Sequence, residues 1–403
     1  MSLVGPRPPA IILGGNANAV SVARSLGARG VRVIALGNGA DQVRHSRFCA
    51  EYVGAQPGRT TQEGWLDWLT RAGGGAVLLP CDDDAVELIG THRAAIASVG
   101  YRSIEADDTV MLDMLDKEAT YARARSAGVP TPATYAIRET DDLLAAADEI
   151  GFPCALKPVH SHRFARHFRG RKVFIVHDLD ELTRRYAETA RHGLDVFATE
   201  IIPGGDDRLC SYYGYLDDTG RSLVGVTKRK VRQYPRGFGL GSLEITDDAP
   251  DVAALGLRFF RAMGLRGLAN VEFKRDPRDG LLKLIEVNHR FTASNELLRR
   301  AGVDLAYLAY ARLADLPAPS FGRYRLGMTL WNPLRDVRSV GIAARQDIRT
   351  LPGSIRSLVK PHVLPVFRLD DPGPSIAHHL SLAARVPAKL GRGRPPEPVT
   401  ADR

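Results

Sequence analysis

Three polar side chains alternate with apolar ones in the stretch KLIEVNHRF, residues 283–291. Glu286, Asn288 and Arg290 occupy every second position, so in a β-strand they share one face while the apolar residues between them point to the other. A carboxylate, an amide and a guanidinium in one row suit a cation and an anionic group better than a purely structural surface. The row therefore predicts a binding site on one face of a strand.

The preceding strand supplies another glutamate. The chain on either side of the loop RDPRDG has the pattern of a β-hairpin, and a turn centred near Asp279 places Glu272 opposite or nearly opposite Glu286. Facing carboxylates repel each other, so such a pair favours a bound cation. Mg²⁺ typically takes one or two carboxylates and leaves other positions to water and phosphate oxygens. The hairpin predicts a magnesium site at Glu272, Glu286 and Asn288, and the alternative is an exposed face on which Lys274 pairs with a glutamate.

Two lysines upstream lie in contexts that favour a bound anion. Lys157 belongs to the apolar strand CALKPV, where its ammonium group must reach solvent or meet an anion. Lys117 follows Asp116 at a helix start, where a plain surface lysine is the alternative. With the hairpin they match the needs of a magnesium–nucleoside triphosphate, because cations that neutralise the phosphates favour in-line attack at the γ-phosphorus. The motif GxxxxGK[ST] is absent, which argues against a P-loop enzyme.

The elements before these residues alternate between short apolar strands and helices. From PAIILGG to about residue 115 this alternation predicts a parallel sheet with helices on its faces. The turn GGNANA is not GxGxxG, and the next strand ends without an acidic residue, which argues against dinucleotide binding. Asn16 or the acidic turn at 82–84 could line a small-molecule cleft, although aspartates in a first turn also cap a helix.

Four successive stretches resemble signatures of the ATP-grasp superfamily: DKEATYARARSAGVPTP, GFPCALKP, TEIIPGG and GLANVEFKRDPRDGLLKLIEVNHRF. The stretch KRKVRQYPRGFGLGS narrows the resemblance to carboxylate–amine ligases of the D-aspartate ligase-like group. The resemblance implies a mixed α/β and α+β fold. We expect a Rossmann-like pre-ATP-grasp domain at 1–115, an ATP-grasp domain at 116–315 with subdomains at about 116–200 and 201–315, and a small basic C-terminal region at 316–403 with a disordered tail from about 388.

The resemblance also assigns roles to particular residues. Lys117 and Lys157 would bind the ATP phosphates, and Arg290 would stabilise the acyl phosphate and its tetrahedral adduct. Lys230 and Arg232 would face the γ-phosphate or the acid substrate. The metal ligands would be Glu272, Glu286 and Asn288. The hinge that binds adenine would be formed by Glu200, Ile201 and Ile202, and the carboxylate that binds the ribose would be Asp206 or Asp207.

The activity implied by the resemblance is ATP-dependent carboxylate–amine ligation. A substrate carboxylate would attack the γ-phosphate to give an acyl phosphate, and an amine would then displace phosphate to give an amide. We expect ATP and Mg²⁺ (or Mn²⁺) as cofactors, and small-molecule carboxylate and amine substrates, one of them an amino acid. Another ATP-grasp chemistry, such as carboxylation or thiol ligation, and a nucleotide-binding scaffold without activity are the alternatives.

One segment departs from the family pattern. Where many members have a glycine-rich loop, VHSHRFARHFRGRK (159–172) carries three histidines, four arginines and a lysine. Side-chain cations would replace backbone N–H groups there, or the segment would recruit an anionic substrate. An RNA-binding run and a solvated mobile loop are the other interpretations, and only Phe164 and Phe168 are available for base stacking.

Composition sets the broad class. A chain of 403 residues with 44% hydrophobic and 25% charged residues is typical of a soluble protein of two or three domains. Four scattered cysteines, no signal-peptide pattern and no long apolar run predict a cytoplasmic location. From Arg323 onward, fourteen Lys/Arg against six Asp/Glu give +8 of the total charge of +9. Such a basic region could contact an anionic membrane surface, nucleic acid or an acidic substrate, or it could simply be a solvated surface. Among these partners we do not expect nucleic acid. The sequence leaves the oligomeric state open.

Overall fold

Three β-sheets organise the chain in its computed structural model, which describes residues 7–39, 41–168, 171–359 and 361–389. The expected mixed α/β and α+β fold class is confirmed. The tail expected from about residue 388 lies, beyond Lys389, outside the described residues. None of the helices in the described ranges combines the length and the apolar character that crossing a bilayer requires.

The first sheet is parallel throughout. It consists of β1 (Ala10–Leu13), β2 (Val33–Leu36), β3 (Glu51–Val53) and β4 (Val77–Pro80) in the order β3-β2-β1-β4, with helices α1 (Ala17–Gly27), α2 (Thr61–Ala72), α3 (Asp83–Ser98) and α4 (Asp108–Leu115) and a 3₁₀ helix at Val43–His45. β1, β2 and β4 are buried along their whole length, as parallel strands are when helices cover both faces. The predicted parallel sheet is confirmed, and the side chains of Asn16 and Asp82 cap α1 and α3.

The second sheet is antiparallel and carries Lys157. Its strands are β5 (Thr134–Ile137), β6 (Cys154–Pro158), β7 (Phe174–Val176) and β8 (Val196–Glu200) in the order β5-β8-β6-β7, with helices α5 (Lys117–Ser126), α6 (Asp142–Ile150), α7 (Ser161–His167) and α8 (Leu179–Ala190). The helix predicted before Gly128 is confirmed as α5, and Gly128 adopts a φ of 64°, which favours glycine after a helix end.

The third sheet is the largest and holds the predicted hairpin. Its strands are β9 (Leu209–Leu216), β10 (Ser222–Tyr234), β11 (Leu240–Asp247), β12 (Gly267–Arg275), β13 (Leu282–Asn288), β14 (Thr329–Trp331) and β15 (His362–Val363), in the order β13-β12-β9-β10-β11-β14-β15. The helices of this part are α9 (Pro250–Ala262), α10 (Asn295–Ala301), α11 (Leu305–Leu313), α12 (Pro333–Gln346), α13 (Leu351–Arg356) and α14 (Gly373–Lys389), with 3₁₀ helices at Asp206–Arg208 and Ile348–Thr350. The segment after residue 315 thus adds strands to the same sheet, and the domain boundaries remain our proposal.

The third sheet packs differently on its two faces. Tyr212 and Phe273 share a core with Phe260 of α9, whereas Tyr213 and Tyr215 share a core with α1 and α11. Residues two apart in a strand lie on the same face. On the face of Tyr213, the positions closest to the second sheet are polar, and they form the candidate site.

Candidate active site

Glu272 and Glu286 are directly paired across β12 and β13, as the hairpin pattern predicted, with a bulge next to Glu272. Lys230 binds Glu272 at 2.9 Å, whereas Glu286 has no hydrogen-bond or ion-pair partner within the described ranges. Burial alone would raise the pKa of Glu286, but Lys172 and Lys117 outweigh it and hold that pKa below its ordinary value. An ionised carboxylate without a partner, beside a second carboxylate, suits a divalent cation.

The amide of Asn288 is oriented by a residue that sequence reasoning missed. Asn288 lies opposite Asn270, and its Nδ2 donates to Asn270 Oδ1 at 3.3 Å. Asn270 Nδ2 donates in turn to the carbonyl of Tyr212 at 3.3 Å. These bonds leave Asn288 Oδ1 free to accept, and no donor reaches it within the described ranges. Asn270 stands two residues before Glu272, so the alternation of strand faces was the signal that could have identified it.

The two lysines meet where α5 begins against the end of β6. The backbone N–H of Lys117 donates to the carbonyl of Val159 at 3.3 Å, and its Nζ donates to Ser161 Oγ at 2.7 Å. The Nζ of Lys157 has neither a hydrogen bond nor an ion pair in the part of the chain that the structure describes. Burial, with the nearby charge of Lys117, lowers the pKa of Lys157 to about 8, and burial also lowers the pKa of Lys117. These cations are therefore desolvated and suited to an anionic ligand.

The basic segment after Lys157 docks on the first sheet's helix α3. His162 Nε2 lies 3.1 Å from Glu87, Arg163 donates to Glu87 at 2.6 Å, and Arg166 pairs with Asp84. These side chains contact α3 and not the glutamate pair. Two residues of the segment, 169–170, lie outside the described ranges.

Arg290 lies just beyond β13 and is held by an acid from α3. Its Nε donates to Asp83 Oδ1 at 2.5 Å and its Nη1 to the Phe291 carbonyl at 3.4 Å, while Nη2 has no partner among the described residues. Burial would lower the pKa of Arg290, but the charges of Asp83 and Glu286 outweigh it and raise that pKa. The sequence allowed the acidic turn at 82–84 either to line a small-molecule cleft or to cap the helix, and Asp82 is the residue of this turn that caps it, by accepting from the Ala85 N–H at 2.9 Å.

The expected adenine hinge links the second sheet to the third. Glu200 ends β8, its N–H donates to the Ala133 carbonyl at 3.0 Å, and its carboxylate accepts from the Ala133 N–H at 3.0 Å. Ile201 follows in the link, and the Ile202 carbonyl accepts from Lys274 Nζ at 2.8 Å. Lys274 therefore binds the hinge, and the alternative in which it pairs with a glutamate is wrong.

The structure separates the two ribose candidates. Asp206 accepts from Gln233 Nε2 at 2.9 Å, from the Gln233 N–H at 3.1 Å and from the Gly237 N–H at 3.2 Å. Its carboxylate is therefore engaged in holding the connection between β10 and β11. Asp207 is exposed, and its carboxylate has no hydrogen-bond partner among the residues described.

Arg232 does not join the phosphate side, contrary to expectation. Its Nε and Nη2 donate to Asp336 at 2.8 Å each, and its Nη1 donates to Ser357 Oγ at 2.9 Å. The register of β10 against β11 shifts between Lys230 and Arg232, so the two side chains do not continue one regular face. Because Asp336 is buried in α12, the charge pair binds Arg232 to the C-terminal region.

A second charged group lies farther along the same sheet face. Glu244 is buried and accepts from Lys228 Nζ at 3.0 Å and from Ser294 Oγ at 2.6 Å. Arg335, in the first turn of α12, has a guanidinium with no hydrogen bond or ion pair to any described residue. Burial lowers the pKa of Arg335, and the charge of Glu244 opposes that shift, which places the two groups near each other. Sequence reasoning missed Lys228, Ser294 and Arg335.

Part of the chain matches a family model. Residues 215–331 match the model described as "ATP-grasp in the biosynthetic pathway with Ter operon". The D-aspartate ligase of Enterococcus faecium (strain Aus0004) is 26% identical over 241 residues, which cover 57% of this chain and 56% of that protein. The alignment thus spans little more than half of this relative.

Solved structures resemble about four fifths of the chain. The biotin carboxylase domain of the Hydrogenobacter thermophilus 2-oxoglutarate carboxylase, solved with MgADP, ADP and bicarbonate, has a TM-score of 0.65 at 18% identity and covers 81% of this chain and 74% of that one. The L-amino acid ligase from Bacillus licheniformis has a TM-score of 0.59 at 16% identity, covering 78% of this chain and 76% of that one. At these identities the likeness concerns the fold.

Proposed function

We propose that this chain, which has the ATP-grasp fold, is an ATP-dependent carboxylate–amine ligase that forms an amide through an acyl phosphate, with an amino acid as one substrate. The observation that carries the proposal is the direct pairing of Glu272 with Glu286 across the hairpin. The carboxylate of Glu286 has no partner within the described ranges and is stabilised by the positive charge of Lys117. Two carboxylates and desolvated ammonium groups on one cleft suit a metal–triphosphate complex.

The donor set fits magnesium. Glu272, Glu286 and Asn288 Oδ1 would hold the ion, because all three offer the oxygen ligands that Mg²⁺ prefers. When bound, Mg²⁺ would neutralise phosphate charge and polarise the γ-phosphoryl group. Mn²⁺ accepts a similar set of oxygen ligands and is included in the proposal.

The chain's own side chains would stabilise charge during transfer. A substrate carboxylate oxygen bonds to the γ-phosphorus while the bond to the ADP oxygen breaks. The amine nitrogen then bonds to the acyl carbon, loses a proton to solvent, and inorganic phosphate leaves. Lys117 and Lys157 would bind the phosphates, and the Nη2 of Arg290 is available for the oxygens of the acyl phosphate.

The charged group at Glu244, which lies opposite Lys230 across β10 and β11, supports an amino-acid substrate. Glu244 offers a carboxylate and Arg335 a guanidinium without a partner in the described part of the chain. Opposite charges at neighbouring positions suit a zwitterion, with its ammonium group on the Glu244 side and its carboxylate on the Arg335 side. Ser294 would fix the orientation of Glu244 through its 2.6 Å hydrogen bond. A cytoplasmic location, where ATP is available and thiols stay reduced, is part of the proposal, and the four free cysteines support it.

The decisive experiment measures ADP release with Mg-ATP over a panel of carboxylates and amines that includes D- and L-amino acids. Glu286→Gln serves as the inactive control. We expect ADP and phosphate only when an acid and an amine are both present. ADP release with bicarbonate alone would indicate carboxylation, release that requires a thiol would indicate thiol ligation, and ATP binding without release across the panel would indicate a scaffold.

A further inference from the structure

The C-terminal part of the chain exposes apolar side chains out of proportion to its length. Nine of the fourteen exposed large hydrophobic residues in the described ranges lie between positions 334 and 380. Five of them, 39% to 79% exposed, lie between residues 334 and 359, a segment that comprises α12, the 3₁₀ helix at Ile348–Thr350, α13 and the three residues after it. We call the exposed surface of residues 334–359 the α12–α13 face; its apolar members are Leu334, Val337, Ile348, Ile355 and Val359.

The exposure of these apolar residues follows from the way α12 is attached to the rest of the fold. The exposed positions 334, 337, 338, 341 and 345 follow helical spacing and share one side of the helix. The opposite side carries Asp336, bound to Arg232, and Ser339, whose hydroxyl donates to the Gln233 carbonyl at 2.9 Å. Turning the apolar side inward would break this buried ion pair and this hydrogen bond. The fold therefore holds Leu334 and Val337 toward solvent.

Arginines are interspersed among these apolar residues. The same segment exposes Arg338, Arg345, Arg349 and Arg356, of which Arg338 and Arg345 share the side of α12 that carries Leu334 and Val337. Asp347 is the acidic residue beside them, and it is paired with Arg349 at 3.0 Å. An exposed surface that combines aliphatic side chains with an excess of guanidinium groups is complementary to an anionic apolar boundary.

We propose that the α12–α13 face docks on the surface of an anionic lipid bilayer. Aliphatic side chains would enter the boundary between headgroups and acyl chains, and the arginines would bind anionic headgroups. The short helices α12 and α13 meet through one 3₁₀ turn and can lie flat on such a surface. Arg335 lies on the inner side of α12 near Glu244, so docking would bring one end of the cleft within about 10 Å of the bilayer, one helix diameter. The inference is independent of the chemistry proposed above.

The test is sedimentation of the full chain with vesicles, which requires no enzymatic activity. Phosphatidylcholine vesicles with and without phosphatidylglycerol are compared at about 0.1 M and about 1 M salt. One variant, Val337→Ser/Ile348→Ser/Ile355→Ser, removes aliphatic contact, and another, Arg338→Gln/Arg345→Gln/Arg356→Gln, removes charge. The matched controls are Leu144→Ser, exposed on α6, and Arg71→Gln, exposed on α2.

We expect binding to the anionic vesicles only, weakened at high salt, with a loss of about fivefold for each arginine removed. The aliphatic variant should lose at least as much, and both controls should bind as wild type does. Equal recovery from neutral and anionic vesicles, or full binding by either triple variant, would overturn the proposal. It would also be overturned if the wild type sediments as a dimer without vesicles and the aliphatic variant as a monomer, since the face would then join two copies. Unchanged thermal unfolding confirms that the variants fold.

Discussion

Arg290 and Asp83 join two sheets at the candidate site: the Nε of Arg290, just past β13, donates to Asp83 Oδ1 at 2.5 Å, and Asp83 begins α3 beside the first sheet. The pair keeps an arginine next to Glu286 while its Nη2 stays without a partner in the described structure. The position of the guanidinium thus depends on packing between the N-terminal sheet and the hairpin.

Arg290→Ala should slow amide formation about 10²–10³-fold and leave Mg-ATP affinity nearly unchanged. The reason is that its guanidinium would meet charge that develops mainly during transfer and aminolysis. Steady-state kinetics, calorimetry with ATP and trapping of the acyl phosphate with hydroxylamine measure the effects. Asp83→Asn should give a smaller loss in kcat, since it misplaces Arg290 without removing it. A wild-type kcat in Arg290→Ala would refute the assignment.

Glu286→Gln should abolish magnesium-dependent turnover, because it removes the carboxylate that has no other partner in the described ranges. Glu188→Gln, at a half-buried glutamate of α8 that pairs with Arg185, is the control and should be fully active. The measurement is ADP release against Mg²⁺ concentration, with circular dichroism to verify the fold. Undiminished turnover by Glu286→Gln would exclude a metal site on this hairpin.

Lys157→Met should weaken ATP binding by about 1.5–3 kcal/mol, the typical value of a hydrogen bond to a charged group. Calorimetry measures this change, and unchanged affinity would mean that the lysine is structural. In the wild type, ATP affinity should fall as pH rises above about 8, the pKa of Lys157 in the ligand-free protein, because the ammonium group loses its charge.

The same lysine should affect stability without ATP. Its pKa of about 8 lies below the ordinary 10.5, so between these values the unfolded chain binds more protons than the folded one. Stability of the wild type should therefore gain a contribution as pH rises from about 8 to about 10.5. Denaturant unfolding at about pH 7 and about pH 9.5 should show this gain in the wild type and a smaller one in Lys157→Met. Equal pH dependence in the two proteins would contradict the lowered pKa.

Arg335→Ala should raise the KM of the amino-acid substrate about 10-fold to 100-fold and leave the KM of ATP unchanged. Its guanidinium lies near Glu244, whereas Lys117 and Lys157, which would bind phosphate, lie near Glu286. Arg338→Ala, on the exposed side of the same helix, is the matched control. If both variants retain the wild-type KM for every substrate, the zwitterion site is excluded.

Arg232→Met should destabilise the protein by about 3–5 kcal/mol, because Asp336 would be left buried without its partner. Arg232→Met/Asp336→Leu should recover most of that loss, since neither charge then remains. Chemical denaturation of the four proteins in the cycle measures the coupling. A large increase in the KM of ATP at unchanged stability would restore the phosphate role first expected for Arg232.

The local pattern of the sequence determined the hairpin and the direct pairing of Glu272 with Glu286, because strand alternation and a short loop fix which residues face each other. It also determined that Lys157 would lie in a buried strand, since the residues around it are apolar. These features depend on the backbone conformation of a few consecutive residues, and that conformation is determined by the local sequence.

The tertiary structure alone decided which distant charges meet. Arg290 pairs with Asp83 across 207 positions, and Arg232 pairs with Asp336 across 104 positions. These partners are determined by the surfaces that the three sheets bury against each other. The periodicity of a short stretch of sequence contains no information about that packing. For this reason the spacing of polar residues predicted a metal site. The pairing of Arg232 with Asp336, in place of the expected position facing the γ-phosphate or the acid substrate, and the place of Arg335 beside Glu244 depended on how α12 packs on the third sheet.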